Sequence, residues 1–77
     1  MSNIPVIDMV ETGRNIVNLR EKTGYSVREL QSMFGFTTPQ AIYKWQNGTS
    51  LPTIDNLLIL SSLFGVTVED IIVTNVI

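Results

Sequence analysis

The stretch Ser26–Gly48, SVRELQSMFGFTTPQAIYKWQNG, decides how this 77-residue sequence is read. It opens on Ser26-Val27-Arg28-Glu29, an S-x-x-E pattern in which serine and glutamate can each satisfy a free amide of the first helical turn. Leu30 and Phe34 then fall one turn apart on a single face. Gly35 supplies the left-handed backbone that stops a helix. Together these predict a helix over Val27–Phe34. Thr38 is a good capping residue for a second one, and Pro39 suits the first helical position, where its missing N–H forfeits no bond. Ile42 and Trp45 lie three apart and mark an inner side, and Asn47-Gly48 closes the segment, so this helix is expected over Pro39–Gln46. The connection Gly35-Phe36-Thr37 is too short to lay the two helices antiparallel side by side. It suits a near-perpendicular pair whose second member protrudes. With Ile42 and Trp45 facing inward, the 3.6-residue period puts Gln40, Tyr43, Lys44 and Asn47 on the outward arc.

Three further helices flank this pair. Upstream, Asp8 and Glu11 form a D-x-x-E cap, Met9, Ile16 and Leu19 recur near helical spacing with Gly13 between them, and Thr23-Gly24 ends the run. A helix over Met9–Lys22 follows. Downstream, Pro52-Thr53 precedes and Gly65 follows a helix over Ile54–Phe64, with Ile54, Leu57, Ser61 and Phe64 as its expected inward stripe. Thr67 and Asp70 cap a short last helix from Val68 to about Val73, and the apolar tail Thr74–Ile77 is either frayed or paired. No repeat, low-complexity tract or linker interrupts the chain. The expectation is one all-α domain over residues 1–77, a compact five-helix bundle.

Composition narrows the chemistry. With no cysteine and no histidine, disulfides, thiolate metal sites and the commonest imidazole ligand and proton shuttle are all missing. There is no Ser/His/Asp set, metal-ligand cluster or Gly-rich phosphate loop, and acid pairs such as Glu69-Asp70 read as caps. No catalytic, metal or cofactor site is expected, and the chain does not read as an enzyme. The net charge is −2, but it is unevenly spread. All five basic residues (Arg14, Arg20, Lys22, Arg28, Lys44) lie between Thr12 and Pro52, where only Glu21 and Glu29 oppose them. That stretch carries +3 and the remainder −5. No apolar run approaches the ~18 residues of a membrane span. Residues Met1–Val10 show no basic-then-apolar signal. A cytoplasmic protein without membrane association is expected.

The sequence resembles the Cro/repressor-like helix-turn-helix family, also called the xenobiotic-response-element type. The resemblance rests on Ile16–Arg20, Tyr25–Leu30, Phe34-Gly35-Phe36, Thr38–Gly48, Leu51–Leu57 and Phe64–Ile71, and covers about residues 12–73. It implies a lambda-repressor-like five-helix bundle and a bacterial or phage transcription regulator of the repressor kind, with double-stranded DNA as partner. It places Thr38, Pro39, Gln40 and Lys44 where the family reads base edges, with Tyr43 on the same side. Gln40 can bond adenine N6 and N7 together, Lys44 can reach guanine acceptors or a phosphate, and the Thr38 methyl can touch a thymine methyl. Tyr43 can stack on a sugar or donate to a phosphate. Phosphate contacts are expected from Ser26 and Arg28 at the start of the first motif helix, and from Asn47, Thr49 and Ser50 beyond the second.

The sequence also departs from the family pattern. Val27 stands where a backbone-contacting glutamine is usual, so Arg28 inherits that task. Gln46 replaces the glutamate that commonly pairs with the arginine matching Arg20, leaving a charged hydrogen bond in place of an ion pair. Gln31 replaces a small residue, and the often basic loop before Pro52 is Thr49-Ser50-Leu51.

The C-terminal half suggests a homodimer. Ile59 and Leu63 lie off the expected stripe of the fourth helix, and Val73, Val76 and Ile77 exceed what a short fifth helix can bury. Two other readings share the fold: a protein-binding module that does not read DNA, and an antitoxin that both represses and neutralises a partner.

Overall fold

A computed structural model describes residues 3–77. Its elements run β1 (Pro5–Ile7), α1 (Met9–Thr23), α2 (Val27–Phe34), α3 (Gln40–Asn47), α4 (Ile54–Phe64), α5 (Val68–Ile71) and β2 (Thr74–Val76). The five helices come in the expected order, and three of them end differently. Helix α1 gains Thr23. Helix α3 begins at Gln40, with Pro39 rather than Thr38 as the capping residue, and no side chain caps it. Thr38 Oγ1 only approaches the Gln40 N–H, at 3.5 Å. Helix α5 stops at Ile71 instead of Val73, because Ile72 turns extended (φ −81°, ψ 128°) and leads the chain into β2.

The two strands were not expected. The tail is paired, not frayed: β2 runs antiparallel to β1, with Pro5 opposite Val76, Val6 opposite Asn75 and Ile7 opposite Thr74. Residues 3–7 and 74–77 are all exposed, so this ribbon stands off the bundle, which fits a molecule measuring 45 × 23 × 20 Å.

The core comprises Ile16, Leu30, Ile42, Trp45, Leu57, Leu60, Phe64 and Ile71. On α4 the buried stripe is Leu57, Leu60 and Phe64. Leu60 is fully buried, whereas Ile54, expected inside, is 77% exposed. Ser61 faces partly inward and spends its hydroxyl on the Val66 carbonyl. Among the residues expected at a dimer contact, Ile59, Val76 and Ile77 are exposed. Leu63 is half-buried against the core. Val73 is also half-buried, held at both backbone groups: its N–H donates to Thr12 Oγ1 (2.9 Å) and its carbonyl accepts from the Asp8 N–H (2.8 Å).

Polar contacts bind the C-terminal segment to α1 and its capping residue. Thr12 is fully buried, and its hydroxyl serves Val73. Asn15 Nδ2 donates to the carbonyls of Asp70 (2.7 Å) and Ile71 (2.9 Å), satisfying orphan acceptors at the end of α5. Asp8 caps α1 by accepting from the Glu11 N–H (3.0 Å) and also accepts from Asn75 Nδ2 (3.0 Å). These two donors hold its carboxyl below the usual aspartate range. Glu11 does not return the bond, since the Asp8 N–H is already given to Val73. It pairs with Arg14 instead, at 2.7 Å.

At two glycines main chain packs directly on main chain. A Cβ at Gly13 would sit 2.5 Å from the carbonyl oxygens of both Trp45 and Gln46, and one at Gly48 would sit 2.8 Å from Val10 Cα. Helix α1 therefore rests directly on the last turn of α3. Gly13→Ala should lower the unfolding free energy by about 1–3 kcal/mol in urea melts, because rigid backbone must move. That loss overrides the ~1 kcal/mol of helix propensity that alanine gains over glycine. An unchanged or raised midpoint would mean the helices separate freely.

Candidate nucleic-acid interface

Helix α2 begins with the capping box its sequence foretells. Ser26 Oγ accepts from the Glu29 N–H (3.0 Å), and Glu29 Oε1 accepts from the Ser26 N–H (2.9 Å). Donation to its carboxylate, first from the Ser26 amide and then from the Ser26 hydroxyl, keeps the Glu29 carboxyl below its ordinary range. These bonds also alter the expected anion site. The Ser26 amide is taken and its hydroxyl already faces the Glu29 carboxylate, while Arg28 stands exposed beside it.

Gly35 ends α2 in the left-handed region (φ 71°), which lets the chain reverse within a few residues. Three rings then fix the turn. Phe34 stacks on Phe36 with centroids 5.2 Å apart, and both meet Trp45 edge-on at 5.4 and 5.9 Å. Gln31 adds a polar clasp, donating Nε2 to the Phe36 carbonyl at 3.3 Å. The longer residue at this position thus serves the turn backbone. Local sequence pattern gives Phe36 no role, although it closes the cluster. Its signal was an aromatic in a three-residue turn, where a polar residue is the usual choice.

Helix α3 presents the arc its period predicts. Ile42 is fully buried and Trp45 is 4% exposed, while Gln40, Tyr43, Lys44 and Asn47 face solvent. Thr38 and Thr49 are exposed, and Pro39 and Ser50 are half-buried. The end of α3 is tied down through Arg20, whose Nε donates to Gln46 Oε1 (3.0 Å) and whose Nη1 donates to the Tyr25 carbonyl (2.9 Å). This is the charged hydrogen bond that replaces an ion pair. One arginine so joins α1, the entry to α2 and the close of α3.

The cations divide accordingly. Arg14 is paired with Glu11, and Arg20 is spent internally. Among the described residues no carboxylate pairs with Lys22, Arg28 or Lys44, so two of the three free cations lie within the motif. No group of acidic residues there could hold a metal, and no described helix is long and apolar enough to cross a membrane.

Comparison with known proteins agrees with this geometry. Residues 16–71 match the model of a helix-turn-helix family. The restriction-modification controller protein C.AhdI from Aeromonas hydrophila is similar in structure, with a TM-score of 0.71 and 20% identity over 83% of this chain and 96% of that one. The DNA-binding domain of BldD superposes with a TM-score of 0.69 at 17% identity, over 84% of this chain and 93% of that one. At such identities the likeness concerns the fold. No functionally curated protein sequence matches the chain.

The ring cluster carries a direct test. Phe36→Ala removes both the stack on Phe34 and the edge contact with Trp45. It should cost roughly 2–3 kcal/mol of stability, below the usual range for a fully buried phenylalanine. Chemical denaturation with tryptophan fluorescence measures it. A loss within experimental error would show that the turn holds without the third ring.

Proposed function

The chain belongs to the helix-turn-helix family, and from that premise we propose that it is a sequence-specific double-stranded DNA-binding regulator of the repressor kind. It acts as a homodimer, each copy laying α3 in the major groove. The observation that carries this reading is the division of α3: a buried Ile42–Trp45 side, and an outward arc bearing Gln40, Tyr43 and Lys44 on a helix whose last turn is held by the Arg20–Gln46 bond and the Trp45 ring contacts.

Each side chain has a role that its chemistry suits. Gln40, in the first turn of α3, offers a donor and an acceptor to adenine, and Lys44 one turn later reaches guanine or a phosphate. Tyr43, 47% exposed, stacks on the sugar or donates to a phosphate. Thr38 and Pro39 approach the base edges from the entry to the helix. Arg28, the Ser26 hydroxyl, Asn47, Thr49 and Ser50 grip the phosphates on either side. Two-fold pairing suits this use, since one short helix reads few base pairs and a symmetric dimer doubles the site.

The overall charge of −2 favours one other reading, a protein-binding module on the same fold. It predicts no salt-dependent DNA affinity, so titration at two salt concentrations separates the two. Gln40→Ala should cost about 1–3 kcal/mol at the footprinted site while leaving non-specific binding and thermal stability unchanged. Wild-type affinity for that site would remove Gln40 as a base reader. Arg28→Ala should weaken binding to all duplexes alike and reduce the slope of log affinity against log salt by ~1. An effect confined to one sequence would contradict its phosphate role.

A further inference from the structure

The β1–β2 ribbon is apolar on both faces and covered on neither. Residues opposite one another in an antiparallel pair share a face, so Pro5 and Ile7 lie with Val76 and Thr74, while Ile4 and Val6 lie with Ile77 and Asn75. Ile4, Ile7, Val76 and Ile77 are 56%, 45%, 64% and 66% exposed. Two three-residue strands are marginal in water by themselves, and these leave their apolar side chains bare.

The two edges of the ribbon differ. Ile4 and Ile77 exchange backbone bonds (3.4 and 3.1 Å), and the Asp8 N–H donates to Val73. By the alternation of an antiparallel ladder, the backbone groups of Val6 and Asn75 also point inward, and those of Pro5, Ile7, Thr74 and Val76 point outward. The β1 edge is blunted, because Pro5 has no N–H to offer. The β2 edge is not. Thr74 and Val76 each present an N–H and a carbonyl, with no proline or charge to guard them, and no third strand joins this sheet among the described residues.

We propose that β2 pairs antiparallel with β2 of a second copy about a two-fold axis at Asn75, making a four-stranded sheet. The edge is its own complement in that register. Thr74 of each copy stands opposite Val76 of the other, and each such pair exchanges both backbone bonds, giving four in all. An axis at Thr74 calls on the Ile72 N–H, which already donates to the Val68 carbonyl at 3.2 Å. An axis at Val76 gives two bonds within residues 74–77. The Asn75 register also lines up Pro5 and Val76 with Thr74 and Ile7 of the second copy in one unbroken row, with no charged side chain in it. The other exposed apolar patch, Ile54, Leu58 and Ile59 on α4, has no backbone edge to complement.

This seam presupposes the homodimer of the proposed function and names where it forms. Sedimentation of the full chain from micromolar to tenth-millimolar concentration tests it, with wild type, Val76→Pro and Leu58→Glu compared. Val76→Pro deletes one outward N–H per copy, hence two of the four bonds, and spares every bond between β1 and β2. Wild type and Leu58→Glu should sediment as dimers, and Val76→Pro as a monomer with an unchanged helical spectrum. A dimeric Val76→Pro overturns the seam. If Leu58→Glu is then the monomer, the homodimer survives with α4 as its interface. A monomeric wild type overturns both. Amide exchange of wild type decides the matter even if the proline variant misfolds. The Thr74 and Val76 amides should exchange about tenfold or more slowly at the high concentration than at the low one. Equal rates at all concentrations would contradict the pairing.

Discussion

Helix α1 touches the last turn of α3 through main chain, and the placement of the outward arc depends on that contact. With no side chain at Gly13, the carbonyls of Trp45 and Gln46 come close enough to exclude even a methyl group. Gly48 makes the same allowance on the opposite side, against Val10. Its left-handed backbone (φ 75°) closes α3 at the point of contact. Interiors this tightly packed transmit displacement instead of absorbing it. A shift of α1 would therefore carry α3, and Gln40 and Lys44 with it. Arg20 reinforces the arrangement by bonding both the close of α3 and the entry to α2.

The same last turn of α3 is also held by different physics. Between α2 and α3 the chain must reverse quickly, and the Phe34–Phe36–Trp45 cluster ties that turn to Trp45 through ring contacts. Gln31 ties down the turn carbonyl. An apolar contact and a polar, main-chain contact thus meet on the last turn of α3 and fix its backbone, so little backbone entropy remains to be lost on contact with a ligand. Charge follows the same division. Acids cap α1, α2 and α5 where helix dipoles favour them, while Arg28 and Lys44 remain unpaired on the motif.

Most of this was legible in the residues. The capping pairs Ser26/Glu29 and Thr67/Asp70 and the glycines 24, 35, 48 and 65 punctuate the chain where the helices break. The Ile42/Trp45 spacing correctly separates the inner and outer sides of α3. The failures have physical causes. On α4, five of the eleven residues are leucine or isoleucine outside the pair Leu57–Phe64, so the apolar pattern has weak direction and the buried Leu60 was indistinguishable from its neighbours. Ile54 was assigned inward by spacing, but tertiary packing leaves the first turn of α4 in solvent. Strands of three residues show no alternation to read, and β1 and β2 lie at opposite ends of the sequence. Their pairing depends on long-range bonds from Thr12 and Asp8 that no local pattern announces. Thr38 lost the cap of α3 to Pro39 by a single residue, within the ordinary blur of helix ends.

The central claim is that the outward arc of α3 reads DNA. Backbone and side-chain amide resonances of the isotope-labelled chain, followed during titration with a duplex carrying its selected site, test it most directly. The account predicts that the largest shifts fall on the Gln40 carboxamide and on the amides of Tyr43 and Lys44, with smaller ones at Arg28 and Thr49. Shifts confined to α4 or to the β1–β2 ribbon, with α3 silent, would contradict it.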